Sequence, residues 1–92
     1  MMKQKIRQDL DLGDNIRRLR KQCRLTQPQV TAKLQIYGIN ISRSYYSRIE
    51  TGELNVQASV LVALTEIFSC GYAEFFAGLR EEMERKSSIV DE

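Results

Sequence analysis

The 92-residue sequence predicts an all-α domain of five helices, and three features carry that expectation. Apolar residues recur at helical spacing along most of the chain. No stretch alternates polar and apolar residues as a half-buried strand would. Capping residues and glycines punctuate the apolar runs where helices should start and stop. The length allows one domain with one modest core, and a composition of 42% hydrophobic and 28% charged residues is that of an ordinary soluble globule.

The elements follow in order. Residues 1–11 read as a flexible N-terminal arm, 12–79 as the domain, and 80–92 as a C-terminal helical extension ending in a frayed tail over 87–92. Leu12, Ile16, Leu19 and Cys23 form the inner stripe of a first helix, with Arg17, Arg18, Lys21 and Gln22 outside. Thr26 with Gln29 has the spacing of a capping box, and Pro28 sits in the first turn, where its missing N–H costs little, so a second helix starts there. Val30 and Leu34 face its core side, and the pattern breaks over 35–41, around Gly38 and Asn40.

Ser42 caps a third helix, Ile41 and Tyr46 stand at hydrophobic-staple positions, and Gly52 ends it. A fourth helix carries Ala58, Leu61, Leu64, Thr65 and Phe68 on one stripe. Gly71 punctuates, and Tyr72, Phe75, Phe76, Leu79 and Met83 then fit a fifth helix. The two cysteines, Cys23 and Cys70, lie on apolar stripes and read as reduced core residues.

Charge is divided unevenly. Residues 1–50 hold 11 basic and 4 acidic groups, and residues 51–92 hold 3 basic and 8 acidic ones. One half is suited to a polyanion, although a solvated basic face without a partner would look the same. No apolar run approaches the roughly 18 residues of a membrane span, and the first ten residues lack a signal peptide's apolar stretch, so the expected location is the cytoplasm with no membrane partner. With no histidine, no paired carboxylates in a pocket-forming context and no glycine-rich phosphate loop, the chain is not expected to be an enzyme. The same inventory suggests no metal, no cofactor and no small-molecule effector.

The third helix is the most informative segment. In ISRSYYSRIETG (41–52), Tyr46 and Ile49 turn inward while Arg43, Ser44, Ser47 and Arg48 turn outward, giving a short, polar, cationic face. Arginine presents two parallel donors that match O6 and N7 of guanine, and serine serves several bases or a phosphate. The plain alternative is that Arg43 and Arg48 only solubilise a surface helix.

A capped helix, a turn, and a second short capped helix ended by glycine is the helix-turn-helix layout. NIRRLRKQCRLTQ (15–27), ISRSYYSRIETG and the spacing of Leu61, Leu64, Phe68, Tyr72 and Phe75 resemble the phage lambda repressor-like helix-turn-helix family, of the Cro and xenobiotic-response-element type. That resemblance implies a five-helix DNA-binding domain and a transcriptional regulator, a repressor, of bacterial or phage type. It implies that Arg43, Ser44, Ser47 and Arg48 face bases, and that Gln27 holds a phosphate with Tyr45, Thr51, Gly52 and Asn55. It further implies an ion pair of Arg20 with Glu50 tying the first helix to the end of the third. The sequence departs from the family between helices two and three, where 35–41 offers roughly seven residues in place of a three- or four-residue turn. Gln35 replaces the glycine usual at the start of that turn, and Thr31, earlier in the second helix, stands where the family prefers alanine for close helix packing.

Beyond the stripe of the fourth helix, Val60, Ala63 and Ile67 form a second apolar row, and Phe76, Leu79 and Met83 form another on the fifth. Both rows suggest a homodimer interface and a palindromic double-stranded operator. In the alternative, the fifth helix folds back over the fourth and the chain is a monomer. The competing function is a protein-interaction module, or an antitoxin-like adaptor, on the same fold.

Overall fold

A computed structural model of the chain describes residues 5–6 and 12–90. The arm expected over 1–11 therefore lies outside the described residues except for Lys5–Ile6, and the tail except for its helical part up to Val90. The architecture is all-α: α1 spans Leu12–Gln22, α2 Gln27–Ile36, α3 Arg43–Glu50, α4 Ala58–Ile67 and α5 Leu79–Val90. A 3-10 turn, Tyr72–Phe76, precedes α5. Two short strands, β1 (Lys5–Ile6) and β2 (Val56–Gln57), pair antiparallel, with Lys5 opposite Gln57 and Ile6 opposite Val56.

The helix starts are made by side chains the sequence names. Thr26 Oγ1 accepts the Gln29 N–H at 3.2 Å, and Gln29 Oε1 accepts the Thr26 N–H at 2.8 Å, closing a reciprocal capping box. Ser42 Oγ accepts the Tyr45 N–H at 3.0 Å and starts α3.

The ends of α1 to α4 share one device. In each, an N–H bonds back five residues to a helix carbonyl: Leu25 to Arg20, Ile39 to Leu34, Glu53 to Arg48 and Cys70 to Thr65, at 2.9–3.2 Å. This is the Schellman closure, which needs a left-handed residue just beyond the helix. Gly38 (φ 80°) and Gly52 (φ 85°) take that conformation freely, whereas Arg24 (φ 58°) and Ser69 (φ 52°) take it against their Cβ atoms. The closure at Gly38 corrects the reading that α2 breaks at Gln35. Gln35 stays helical, and its Nε2 donates to Asn40 Oδ1 at 3.2 Å across the connection. Residues 37–42 then separate α2 from α3.

The core gathers Leu12, Ile16 and Leu19 of α1, Val30 and Leu34 of α2, Tyr46 and Ile49 of α3, Val60, Leu61, Ala63 and Leu64 of α4, with Val56, Phe68, Phe75 and Leu79. Three expectations are corrected here. The fifth helix does not begin at Tyr72, because Ala77 is extended and Gly78 left-handed (φ 79°). Asn15 stabilises that break from α1: its Nδ2 donates to the carbonyls of Phe75 at 2.8 Å and Ala77 at 2.9 Å, and its Oδ1 accepts from Arg18 at 3.1 Å. Val60, Ala63 and Leu79 are not available to a partner, since the chain's own core buries them; of the expected interface, Ile67 is half-buried while Phe76 and Met83 are exposed. Cys23 is exposed and not in the core, because α1 ends at Gln22; its Sγ donates to the Phe68 carbonyl at 3.4 Å. Cys70 is partly buried, and that burial raises its thiol pKa.

No single helix among the described residues is long and apolar enough to cross a membrane. The apolar side chains of α4 are spent largely on the core.

Candidate nucleic-acid interface

The site is built outward from the end of α3. Tyr46 and Ile49 are wholly buried, which fixes the roll of this eight-residue helix and turns Arg43, Ser44 and Arg48 to the surface, with Ser47 half-buried beside them. These four residues and Gln27, at the start of α2, line one shallow hollow of about 290 Å³. The packing of α1 on α3 is close. A Cβ on Gly13 would fall against the Ile49 carbonyl oxygen and 2.6 Å from that of Glu50, so glycine lets the start of α1 meet the end of α3 backbone to backbone.

Beneath the polar face lies the pair of Arg20 and Glu50. Arg20 Nε donates to Glu50 Oε2 at 2.7 Å and Nη2 to Oε1 at 3.1 Å, a bidentate arrangement in which the side chains are 11% and 2% exposed. The third guanidinium nitrogen donates to the Leu25 carbonyl at 2.8 Å, and Gln27 Nε2 donates to Glu50 Oε1 at 3.0 Å. Burial pushes the Glu50 carboxyl up, but bonds from Arg20 and Gln27, with Tyr46 adjacent, more than offset it and hold it below the ordinary range. The same pairing raises Arg20. Burial, with the neighbouring Glu50 carboxylate adding to it, pushes the Tyr46 hydroxyl far above its ordinary value, and its Oη has no hydrogen-bond partner among the described residues. One network thus joins α1, the start of α2 and the end of α3.

The other named residues sit around this centre. Tyr45 is half-buried against the core, leaving part of its side chain outward. Thr51 is exposed and donates its hydroxyl to the Arg48 carbonyl at 3.1 Å, Gly52 carries the closure of α3, and Asn55 lies exposed in the connector to β2. Arg48 Nε donates to Glu53 Oε1 at 3.1 Å. Sequence reasoning missed Arg17, which with Asp14, Arg20, Gln27, Ser47, Glu50 and Thr51 lines a second hollow of about 500 Å³. The signal was present: Arg17 precedes Arg20 by three residues, so both share the face of α1 turned toward α3. Among the described residues no group of His, Cys, Asp and Glu could hold a metal ion.

Two capped helices, the second carrying a cationic polar face over a buried apolar one, define a helix-turn-helix unit, the class of domain that enters a DNA groove with its second helix. The chain belongs to the helix-turn-helix domain family, whose model matches residues 11–75. No curated protein matches it.

Proposed function

We propose that the chain is a sequence-specific transcriptional regulator, a repressor of the lambda repressor-like branch, that reads the major groove of double-stranded DNA with α3. The observation that carries this is the single open surface formed by Arg43, Ser44, Ser47, Arg48 and Gln27 above a buried anchor. The eight residues of α3 span about 12 Å, matched to a groove about 12 Å wide. In this reading the four α3 side chains face bases. Gln27, Arg17, Tyr45, Thr51 and Asn55, with the backbone at Gly52, face phosphates. Gln27 spends one amide hydrogen on Glu50 and keeps the other for the DNA.

The same reading makes the functional unit a homodimer on a palindromic operator. Exposed Tyr72, Phe76 and Met83, with half-buried Ile67, supply the apolar contact, and two recognition helices then meet half-sites about 34 Å apart. A competing role as a protein-interaction module draws on exposed Ile36, Tyr37 and Val62.

Selection from random duplexes tests the reading. The wild type should enrich one palindromic motif. Arg43→Ala should relax one position of each half-site, at a cost of about 1–3 kcal/mol, while Gln27→Ala weakens binding without altering the motif. Enrichment of no motif by the wild type would reject the proposal.

A further inference from the structure

We propose that Glu53 is a positioning residue for base recognition, holding the Nε edge of Arg48 so that its two terminal amino groups point out from α3. The inference rests on the base-reading function proposed for that helix. Arg48 and Glu53 pair at 3.1 Å with side chains 56% and 59% exposed, a setting in which an ion pair adds little to stability. The backbone nevertheless builds the pair in. Left-handed Gly52 reverses the chain, and the N–H groups of both Glu53 and Leu54 bond to the Arg48 carbonyl, at 2.9 and 3.1 Å. The carboxylate is thereby delivered beside the residue whose side chain it grips.

A guanidinium has five N–H donors, and Glu53 occupies the one on Nε. The remaining four lie on the two terminal nitrogens, which carry the parallel donor pair that fits O6 and N7 of guanine. An arginine already held loses less rotamer freedom when it binds, which favours the base pair that matches the held orientation. Arg43, at the other end of α3, has no carboxylate partner among the described residues. Glu53 also brings negative charge to the DNA-facing connector, where it opposes binding to any phosphate backbone. Its expected contribution is discrimination bought with some loss of general affinity.

The test uses the duplex selected by the wild type and variants in which the base pair assigned to Arg48 is replaced. Affinity for each is measured with the wild type, Glu53→Gln, Arg48→Ala and the double variant, all matched by thermal midpoint. Glu53→Gln should lower discrimination at that base pair by at least about five-fold, the lower end of what one bidentate contact supplies. Its affinity for unrelated DNA should hold or rise, and in the Arg48→Ala background it should leave discrimination unchanged. Undiminished discrimination in Glu53→Gln, or an equal loss in the Arg48→Ala background, would overturn the positioning role while leaving the base-reading function standing. Absence of any sequence preference in the wild type would overturn both.

Discussion

Replacing Glu50 by glutamine keeps the shape of the side chain and removes its charge, leaving the Arg20 guanidinium without the carboxylate that receives two of its donors. In either orientation the new amide also turns its NH₂ group toward an Arg20 donor, and in one of them toward the Gln27 amide donor as well. Breaking a buried pair in this way costs about 3–5 kcal/mol. The lower end applies, because the Arg20 side chain keeps 11% of its surface in solvent while that of Glu50 keeps 2%. About 3 kcal/mol in a domain of this size lowers the thermal midpoint by roughly 12–24 °C. The contrast is Glu53→Gln, whose exposed pair is worth about 0–1 kcal/mol. The effect also has a pH signature. Because folding holds the Glu50 carboxyl below its ordinary value of 4.5, its stabilisation is present above that pH and lost as pH falls through the lower, folded value. Glutamine does not titrate, so the gap between wild type and variant should narrow on acidification below pH 4.5. Melts of both proteins from neutral to acid pH measure it. A neutral-pH midpoint within two degrees of the wild type, or a gap that widens in acid, would refute the reasoning.

Gly13→Ala sets a methyl group against two backbone carbonyls that no rotamer change can move, and should cost about 1–3 kcal/mol by melting while tilting α3 enough to weaken DNA binding; an unchanged midpoint would contradict the close packing. Ser69→Gly and Arg24→Gly remove Cβ atoms from left-handed positions, and each should stabilise by about 0.5–1 kcal/mol, whereas a lower midpoint would show that the side chain contributes more than its strain. Met83→Glu, at a side chain 52% exposed, should leave the melt unchanged and convert a sedimenting dimer to a monomer; a wild type that sediments as a monomer at tens of micromolar, with or without DNA, would reject the dimer.

The sequence is legible wherever a local rule decides the structure. Thr26 with Gln29, Ser42 and Gly52 mark helix boundaries through bonds made within a few residues, and Leu12, Ile16 and Leu19 reveal an inner face by spacing alone. Misreadings arise where distant parts decide. Tyr72, Phe75, Phe76 and Leu79 keep helical spacing, yet the backbone breaks at Ala77 and Gly78 and Asn15, some 60 positions away in the chain, takes the freed carbonyls. Val60 and Ala63 lie off the inner stripe of α4 but are buried, so a second apolar row can cover the chain's own core as well as a partner. The pairing of Lys5–Ile6 with Val56–Gln57 is too short for strand periodicity to register. Gly13 carries no side-chain signal, and the need for it arises only where α1 meets the carbonyls of α3.

The most direct test of the central claim is the affinity of the wild type for its selected duplex, and for a scrambled one, between 50 and 200 mM salt. A groove-reading domain with several phosphate contacts should lose affinity for both steeply as salt rises, with log K linear in log salt, and should prefer the selected duplex by about 10³-fold or more. Equal affinity for both duplexes, or binding insensitive to salt, would contradict the account.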